Sequence, residues 1–314
     1  MGSASAREVI HVQMNNFSLS SAFNNRVKNT FGEQGKAWLN KLPSLISTCE
    51  KQYRLKVVKQ YQYQSVNFVA EAKKIGGGEV VVKFCPSFDE IISEISALNY
   101  MAGNGMVKLF AADEKQGFMI LEKLNPNVML SDLTDDIAAT NFAADIMLKI
   151  WRPIKHNHIW KTTQQCFKYL DKKLTLPSGF APVLVDKAKL MAQELHQDMG
   201  EVVLLHEDLH HFNILSATRQ PWLAIDPKGI VGEREYEVGA LLRNPIPFIV
   251  SSLPTKKLID QRIQILAEKL GFDKQRIKQW GFTQAVLAAI WSIDSKSSDW
   301  KLFLSCAKAL SKIV

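Results

Sequence analysis

The chain has 314 residues, of which 46% are hydrophobic and 22% are charged. This composition predicts about two domains or one two-lobed domain, and it excludes the polar, core-poor class of disordered proteins. The formal net charge of +8 favours anionic partners. The lysines are dispersed, however, so a solvated basic surface is the better interpretation and no specific nucleic-acid binding is expected.

The four cysteines are widely spaced and form no C-x-x-C pair. This spacing argues against a zinc knuckle and against a disulfide framework, and it fits a reducing cytoplasm. The stretch from Met1 to Phe17 has no apolar signal core, and no segment reaches the roughly 18 apolar residues of a membrane span. We therefore expect a cytoplasmic protein without a membrane partner, as a monomer or weak dimer.

The first part of the chain predicts a helix followed by a small antiparallel sheet. Apolar residues between Trp38 and Cys49 recur at helical spacing, and Pro43 is expected to begin a new helix. Runs rich in valine between 55 and 84, with a glycine turn, predict a β-meander. Ser87 and Glu90 form a capping-box pattern that predicts the next helix, and two further strands are predicted at 107–111 and 118–122.

The second part is predicted to be mostly helical, with helices at about 132–151, 158–170 and 181–199 and again from 236 onward. A short β-rich segment at 202–225 interrupts these helices. We predict an α+β, two-lobed fold, with a small lobe at residues 1–122 and a larger helical lobe at 123–314.

The most informative segment, residues 204–215, is an apolar strand, a polar turn and a second apolar strand. It reads H-x-D-x-x-x-x-N. Phosphoryl transfer needs a carboxylate that orients the attacking hydroxyl and accepts its proton, and a metal ligand close by that holds the phosphates. Asp208 and Asn213 lie five residues apart on one loop and can meet these two needs.

A second carboxylate, Asp226, follows the apolar run at 222–225 and is placed at the end of a buried strand. Magnesium prefers hard oxygen ligands and usually takes one or two carboxylates together with phosphate oxygens and water. Asp226 and Asn213 are therefore the candidate magnesium ligands.

Upstream, Lys83 lies in a strand of valines, and Glu94 lies on the capped helix that follows. In kinase-like sites a strand lysine holds the α- and β-phosphates and is fixed by a helix carboxylate, and the order here is the required one. Glu94 is preferred to Glu90 because the capping box occupies Glu90.

Together these motifs identify a resemblance to the aminoglycoside phosphotransferases, most closely the streptomycin and hydroxyurea kinase group. The Trp-Leu-Ala-Ile-Asp-Pro-Lys block is far more specific than the loop alone. The matching segments are Gly35–Leu39 with Leu42-Pro43, Val82-Lys83, Leu121-Glu122, the H-x-D-L-H-x-x-N loop, Trp222–Gly229 with Val231-Gly232, Arg243–Pro245 and Ala289–Ser292.

The resemblance implies a protein-kinase-like fold and an ATP- and Mg²⁺-dependent phosphotransferase. Its acceptor would be a hydroxyl of a small molecule of the aminoglycoside or hydroxyurea type. It implies Asp208 as the base, Asn213 and Asp226 as magnesium ligands, and Lys83 as a phosphate contact. In the hinge, the backbone of Glu122, Lys123 and Leu124 would bind adenine. Ser65 and Asn67 lie where the family's loop covers the phosphates, although this chain has no G-x-G-x-x-G.

The chain departs from the family pattern at two positions. Glu207 stands where the family usually has glycine, and Glu237 stands where it usually has aspartate. An added negative charge beside Asp208 could raise the pKa of that carboxyl or weaken nucleotide binding. The alternative hypothesis is therefore a catalytically degenerate relative that binds a nucleotide or a partner without turnover.

Other interpretations of single residues remain open at this point. Asp208 could cap a turn, Lys83 could extend along a sheet edge to solvent, and the three histidines at 206, 210 and 211 could bind zinc, although they lack the spacing of H-E-x-x-H. A cationic acceptor would need acidic side chains in the helical lobe. The available ones are Asp132, Asp135, Asp136, Glu233 and Glu235.

Overall fold

The computed structural model describes residues 13–14, 17–62, 65–154, 158–244 and 255–311. Most of the stretch from Met1 to Phe17, and Pro245, lie outside this description. Two compact units make up the chain, Met1–Ile91 with Phe110–Lys123 and Ile92–Leu109 with Leu124–Val314. The last change of unit falls one residue after the boundary predicted at 122, whereas segment 92–109 groups with the second unit. The lobe assignment itself stays a prediction.

The first unit consists of a long helix and an antiparallel sheet. The elements are β1 (Gln13–Met14), β2 (Phe17–Ser18), α1 (Ser21–Tyr53), β3 (Leu55–Gln60), β4 (Phe68–Lys74), β5 (Glu79–Phe84), β6 (Leu109–Asp113) and β7 (Phe118–Glu122). The sheet has five strands in the order β3-β4-β5-β7-β6.

The core of this unit lies between α1 and one face of the sheet. Along β4, Phe68, Ala70 and Ala72 are buried while the residues between them are partly exposed, which is the period of two expected for a strand with one covered face. Phe84 contacts both Phe68 and Phe118, with ring centroids 6.0 and 5.4 Å apart. The antiparallel pairing of β3 with β4 and of β4 with β5 confirms the valine-rich meander predicted from the sequence.

Helix α1 corrects one expectation. Pro43 does not begin a new helix but lies inside α1, and the non-helical residue is Gly32, with φ of 57° and ψ of −132°. Glycine adopts this conformation without the steric cost that a Cβ would impose. The hydroxyl of Ser44 donates to the carbonyl of Lys41 at 2.7 Å, beside the proline.

The second unit contains most of the helices and two small sheets. Its elements are α2 (Phe88–Met101, whose first turn groups with the first unit), β8 (Pro126–Met129), α3 (Asp136–Ile150), β9 (Arg152–Pro153), β10 (Lys161–Thr162), α4 (Thr163–Phe167), α5 (Val183–Gln197), β11 (Val202–Leu205), β12 (Ile214–Ala217), β13 (Trp222–Ala224), β14 (Ile230–Glu233), α6 (Val238–Leu242), α7 (Thr255–Leu270), α8 (Lys274–Asp294) and α9 (Trp300–Ser311). In the described part of the chain no helix has both the length and the apolar character needed to cross a membrane.

Helix α8 is the central element of this unit. Its residues from Trp280 to Ile290 are buried around the whole helix, because α5, α6, α7 and α9 pack around it. A helix that is apolar on all sides is expected only in such a position.

Two short sheets hold the segment that carries the predicted chemistry. One has the order β10-β14-β11-β9 and the other β13-β12-β8. The helix predicted at 158–170 is wrong at its start, because Lys161 and Thr162 pair with Ile230 and Val231 as strand β10. Thr162 then forms a capping box with Gln165, so that α4 begins only at Thr163.

A buried ion pair ties β14 to α8. The Glu233 side chain is fully buried, and both of its carboxylate oxygens accept hydrogen bonds from the Arg276 guanidinium at 2.7 Å. The same carboxylate accepts the backbone N–H of Gly200 at 2.6 Å and the indole N–H of Trp280. Removing one partner of such a pair strongly destabilises the fold, because the charge of the remaining partner is left buried and uncompensated.

We predict that Glu233→Ala lowers the free energy of unfolding by about 3–5 kcal/mol, measured by urea denaturation. Glu201→Ala is the matched control, since it removes the exposed ion pair with Arg234 and should cost less than about 1 kcal/mol. Equal losses in the two variants would contradict the role of burial.

Candidate active site

Strand pairing brings the loop at 206–213 and the segment at 226–229 together. Strands β12 and β13 are antiparallel, with Ile214 opposite Ala224, so the residue before β12 and the residues after β13 lie at the same end. Strands β11 and β14 are also antiparallel, with Leu205 opposite Ile230. Asn213 and Asp226 are therefore neighbours for a topological reason.

Three hydrogen bonds fix the two segments to each other. The N–H of Ile225 donates to the carbonyl of Asn213 at 2.9 Å, and Nε2 of His206 lies 2.8 Å from the carbonyl of Ile225. The N–H of Lys228 donates to the carbonyl of His206 at 3.0 Å. The predicted base and the predicted metal ligands thus belong to one rigid arrangement.

Asp208 lies beside a histidine and an arginine. Its Oδ2 is 3.4 Å from Nε2 of His210, and its Oδ1 is 3.6 Å from Nη2 of Arg243. Burial alone would raise the pKa of Asp208, but His210 and the charges of Arg243 and Lys228 hold it well below its ordinary value. The carboxylate is therefore ionised at neutral pH, which a proton acceptor requires, and its side chain remains one third exposed.

The Asn213 side chain is oriented by the loop at 206–213, which the sequence predicts to be the catalytic loop. Its amide N–H group donates to the backbone carbonyl of Asp208 at 2.8 Å and approaches the Asp208 carboxylate at 3.4 Å. Because the amide nitrogen faces Asp208, the amide oxygen points to the opposite side. That oxygen is the atom a magnesium ion would use.

Asp226 carries the second oxygen donor. Its backbone has a φ of 61°, in the left-handed region, and its Oδ1 accepts a hydrogen bond from Nζ of Lys228 at 3.2 Å. Among the described residues no three His, Cys, Asp or Glu side chains gather as a metal cluster. A site of one carboxylate and one amide fits a magnesium ion that takes its other ligands from phosphates and water.

The loop before Asp208 is anchored by Glu237, which is fully buried. Its two carboxylate oxygens accept the backbone N–H groups of His206 and Glu207 at 2.7 and 2.9 Å. Burial raises the pKa of Glu237 to about 7, although these two hydrogen bonds oppose the shift. The two positions at which the chain leaves the family pattern, 207 and 237, are therefore in direct contact.

Glu207 has a φ of 74°, where a side chain costs about 1–2 kcal/mol relative to glycine. This conformation explains why glycine is expected at the position. The Glu207 carboxylate lies 3.9 Å from the Cys166 thiol on α4. Burial, and then the charge of Asp208, raise the pKa of Glu207 to about 7.

The three histidines have separate structural partners. His206 is fully buried, and burial lowers its pKa to about 4, so the ring is neutral. His210 contacts Asp208 and accepts the N–H of Phe212 at Nδ1. His211 is buried, with Nε2 3.4 Å from Arg262. These contacts give each ring a structural position other than a shared zinc site.

Lys83 and Glu94 are both buried, with 4% of each residue exposed. Lys83 lies in β5, opposite Val69 and Met119, and Glu94 lies on α2. The hydroxyl of Ser87 accepts the N–H of Glu90 at 3.4 Å, which is one half of the predicted capping box. The ion pair between Lys83 and Glu94 stays a prediction.

The other residues predicted to contact the nucleotide are Ser65 and the hinge residues Glu122, Lys123 and Leu124. Ser65 is exposed, and its carbonyl accepts from Nε of Arg26 at 3.0 Å. Glu122 ends β7, and the Lys123 ammonium bonds to Glu71 and Glu79 at 3.1 and 2.9 Å. Leu124 is buried. Their nucleotide-binding roles stay predictions.

Most of the acidic residues considered for a cationic acceptor have structural partners. Asp135 caps α3, Asp132 accepts the N–H of Met129, Asp136 pairs with the buried Arg262, and Glu233 pairs with Arg276. Burial raises the pKa of the fifth, Glu235. Of these five residues, Asp136 and Glu233 are therefore engaged in ion pairs within the fold.

The sequence motifs gave no individual role to two cationic residues of the site, Lys228 and Arg243. Lys228 contacts Asp226, and the Arg243 guanidinium approaches Asp208 while it donates to the buried Gln284 at 2.9 Å. Both residues belong to segments that carry the resemblance. Lys228 is two residues from Asp226, whereas Arg243 and Asp208 are distant in sequence.

Comparison with known proteins agrees with these motifs. A family model for aminoglycoside/hydroxyurea antibiotic resistance kinases matches residues 58–295. The streptomycin 6-kinase of Streptomyces glaucescens is 25% identical over 274 residues, covering 85% of this chain and 88% of its own. The hydroxyurea phosphotransferase of Kitasatospora aureofaciens is 25% identical over 270 residues, covering 84% of this chain and 76% of its own.

A solved structure shows the same fold. It is a thermostable mutant of aminoglycoside phosphotransferase APH(4)-Ia in ternary complex with AMP-PNP and hygromycin B, with a TM-score of 0.63 and 14% identity. The match covers 86% of this chain and 99% of that chain. The predicted α+β, protein-kinase-like fold is confirmed.

The raised pKa of Glu207 predicts a pH-dependent stability. The folded state holds this proton more tightly than the unfolded chain does, so the free energy of unfolding falls as pH rises from about 5 to about 7. Glu207→Gln lacks this titration and should be more stable than wild type at pH 8 by on the order of 1 kcal/mol, with the difference vanishing near pH 5. The charged or titratable groups that face Glu207 are Lys161, Cys166, Asp208, Lys228, Tyr236, Glu237 and Arg243.

Urea denaturation at the two pH values measures this difference. Glu194→Gln, on the exposed surface of α5, is the control and should show no pH-dependent difference from wild type. If Glu207→Gln gives the same difference at both pH values, the Glu207 carboxyl does not titrate as its surroundings imply.

Proposed function

Because the chain belongs to the aminoglycoside/hydroxyurea antibiotic resistance kinase family, and is thus a small-molecule kinase, we propose that it transfers the γ-phosphate of magnesium-bound ATP to a hydroxyl of a small molecule. The observation that carries this proposal is the juxtaposition of Asp208, Asn213 and Asp226. Asn213 donates to Asp208 and accepts the N–H of the residue before Asp226.

Asp208 is assigned as the base. Its low pKa keeps the carboxylate ionised, and its partial exposure leaves it open to an acceptor hydroxyl. The carboxylate would orient the hydroxyl by hydrogen bonding and accept its proton as the bond to phosphorus forms. Asn213 fixes the loop on which this carboxylate lies.

The amide oxygen of Asn213 and the carboxylate of Asp226 would hold the magnesium ion. When bound, such an ion neutralises phosphate charge and fixes the phosphate geometry. The left-handed backbone at Asp226 and the hydrogen bond from Ile225 to Asn213 keep the two donors in position. The resemblance assigns Lys83, oriented by Glu94, to the phosphates, Ser65 to the covering loop, and the backbone of Glu122–Leu124 to adenine.

The acceptor we propose is a small hydroxylated molecule of the aminoglycoside or hydroxyurea type. Two relatives are a streptomycin 6-kinase and a hydroxyurea phosphotransferase, and the solved structure is a complex with AMP-PNP and hygromycin B. The similarity supports ATP as the phosphate donor. We also propose a cytoplasmic location, which the spacing of the four cysteines, without a C-x-x-C pair, supports.

The degenerate alternative is not favoured. It rests on the added charge of Glu207, whose described contacts are with Cys166 and Glu237 and not with the two proposed metal ligands. A carboxyl with a pKa near 7 is also partly protonated at neutral pH, which reduces its repulsion of phosphate.

We predict that Asp208→Asn abolishes phosphate transfer while ATP binding survives, because the carboxylate acts on the acceptor hydroxyl. The expected loss is on the order of 10²-fold or more. The assay is transfer of label from γ-labelled ATP to a panel that includes streptomycin and hydroxyurea, with ATP affinity measured by calorimetry. Asp186→Asn, exposed on α5, is the matched control and should behave as wild type. No transfer by the wild type to any acceptor would refute the proposed function, and near wild-type transfer by Asp208→Asn would refute the base.

We predict that Asp226→Ala removes the magnesium dependence of ATP binding, since Asn213 alone is a neutral and weak ligand. Calorimetric titration of ATP at increasing magnesium concentrations measures the effect, and Asp186→Ala is the control. An unchanged magnesium dependence in Asp226→Ala would show that the ion is held elsewhere.

A further inference from the structure

Lys228 is a rigidly held residue for which the proposed mechanism gives no role. Its N–H donates to the carbonyl of His206 at 3.0 Å, and its carbonyl accepts from the hydroxyl of Ser93 at 2.7 Å. The next residue, Gly229, has a φ of 72°, and a Cβ there would lie 2.8 Å from the Trp160 ring. The backbone of Lys228 is thus fixed to the catalytic loop on one side and to α2 on the other.

The Lys228 ammonium lies among three carboxylates. Nζ is 3.2 Å from Oδ1 of Asp226, and it interacts electrostatically with Glu94 and Asp208. The side chain is 36% exposed, so a ligand can reach it. Arg243, whose guanidinium also lies beside Asp208, donates to the buried Gln284 and is itself mostly buried.

An ammonium in this position is suited to phosphate oxygens. It has three N–H donors, and one hydrogen bond to Asp226 leaves capacity for others. A divalent cation bound by Asp226 would weaken the attraction of that carboxylate for the ammonium, while the phosphates add negative charge on the same side. Lys228 would then exchange part of its contact with Asp226 for the phosphates.

Building on the proposed function, we propose that Lys228 is a catalytic residue whose ammonium donates a hydrogen bond to the transferring γ-phosphoryl group. In the step, a bond forms between the acceptor oxygen and the γ-phosphorus, and the bond from that phosphorus to the β,γ-bridging oxygen breaks. ADP leaves with the electron pair of that bond, and the acceptor proton passes to the Asp208 carboxylate. Lys228 keeps its proton throughout and stabilises the negative charge on the phosphoryl oxygens.

A purely structural role has different consequences. If Lys228 only neutralised Asp226 and its neighbours, its removal would lower stability or weaken magnesium-ATP binding, and the rate at saturating substrate would change little. Contact with the transferring group instead lowers kcat, because the interaction is strongest in the transition state.

The experiment compares wild type, Lys228→Ala and Lys228→Arg in steady-state transfer to the best acceptor, with magnesium-ATP varied. We expect Lys228→Ala to lower kcat by about 10²-fold or more, with KM for ATP changed far less. Lys228→Arg should recover part of the rate, because it restores the charge but not the compact ammonium. Added propylamine should raise the rate of Lys228→Ala in a saturable manner. Lys172→Ala, which removes a lysine paired with Asp294, is the matched control and should show neither loss nor rescue.

The outcomes separate the two proposals. If the wild type transfers phosphate and Lys228→Ala keeps its kcat, or loses it without rescue by the amine or by arginine, Lys228 does not contact the transferring group and the proposed function stands. If the wild type transfers phosphate to no acceptor, both proposals are refuted. Far-UV circular dichroism checks folding, and Lys228→Gln replaces Lys228→Ala should the alanine variant unfold.

Discussion

The site depends first on one buried carboxylate, that of Glu237, which accepts the backbone N–H groups of His206 and Glu207. Two buried amides without acceptors would cost several kcal/mol, so this contact fixes the loop that presents Asp208. The two departures from the family pattern, Glu207 and Glu237, are therefore the two partners of one contact that anchors the loop.

Charge balance is the second constraint on the site. Asp208 and Asp226 carry the proposed chemistry, and each lies beside a cationic side chain, Arg243 for the first and Lys228 for the second. The charges of Arg243 and Lys228 lower the pKa of Asp208, so without these cations that carboxyl would bind its proton more tightly. The same cations lower the cost of gathering carboxylates and offer a counter-charge to phosphate. The proposed binding and catalysis would thus use ion pairs that the unliganded fold already contains.

The sequence predicts the parts of this arrangement that are local. The spacing of Asp208 and Asn213 and the strand before Asp226 predict one cluster of side chains, and strand pairing brings their segments together, while their catalytic and metal-binding roles stay predictions. Contacts between distant segments could not be read in this way. From the sequence, Asp136 is a candidate for binding a cationic acceptor, but in the structure it forms an ion pair with Arg262, 126 residues away. The helix start predicted at Pro43 is wrong. Proline is favoured at the first position of a helix, but here α1 continues through it.

The most direct test of this account is a crystal structure with Mn²⁺ in place of Mg²⁺ and a non-hydrolysable ATP analogue, in which anomalous scattering locates the ion. We expect the ion to be coordinated directly by the Asn213 amide oxygen and by an Asp226 carboxylate oxygen, with the Asp208 carboxylate outside its coordination sphere. An ion held by Asp208 without Asp226, or a nucleotide bound with no ion near Asn213, would contradict the assignment of base and metal ligands.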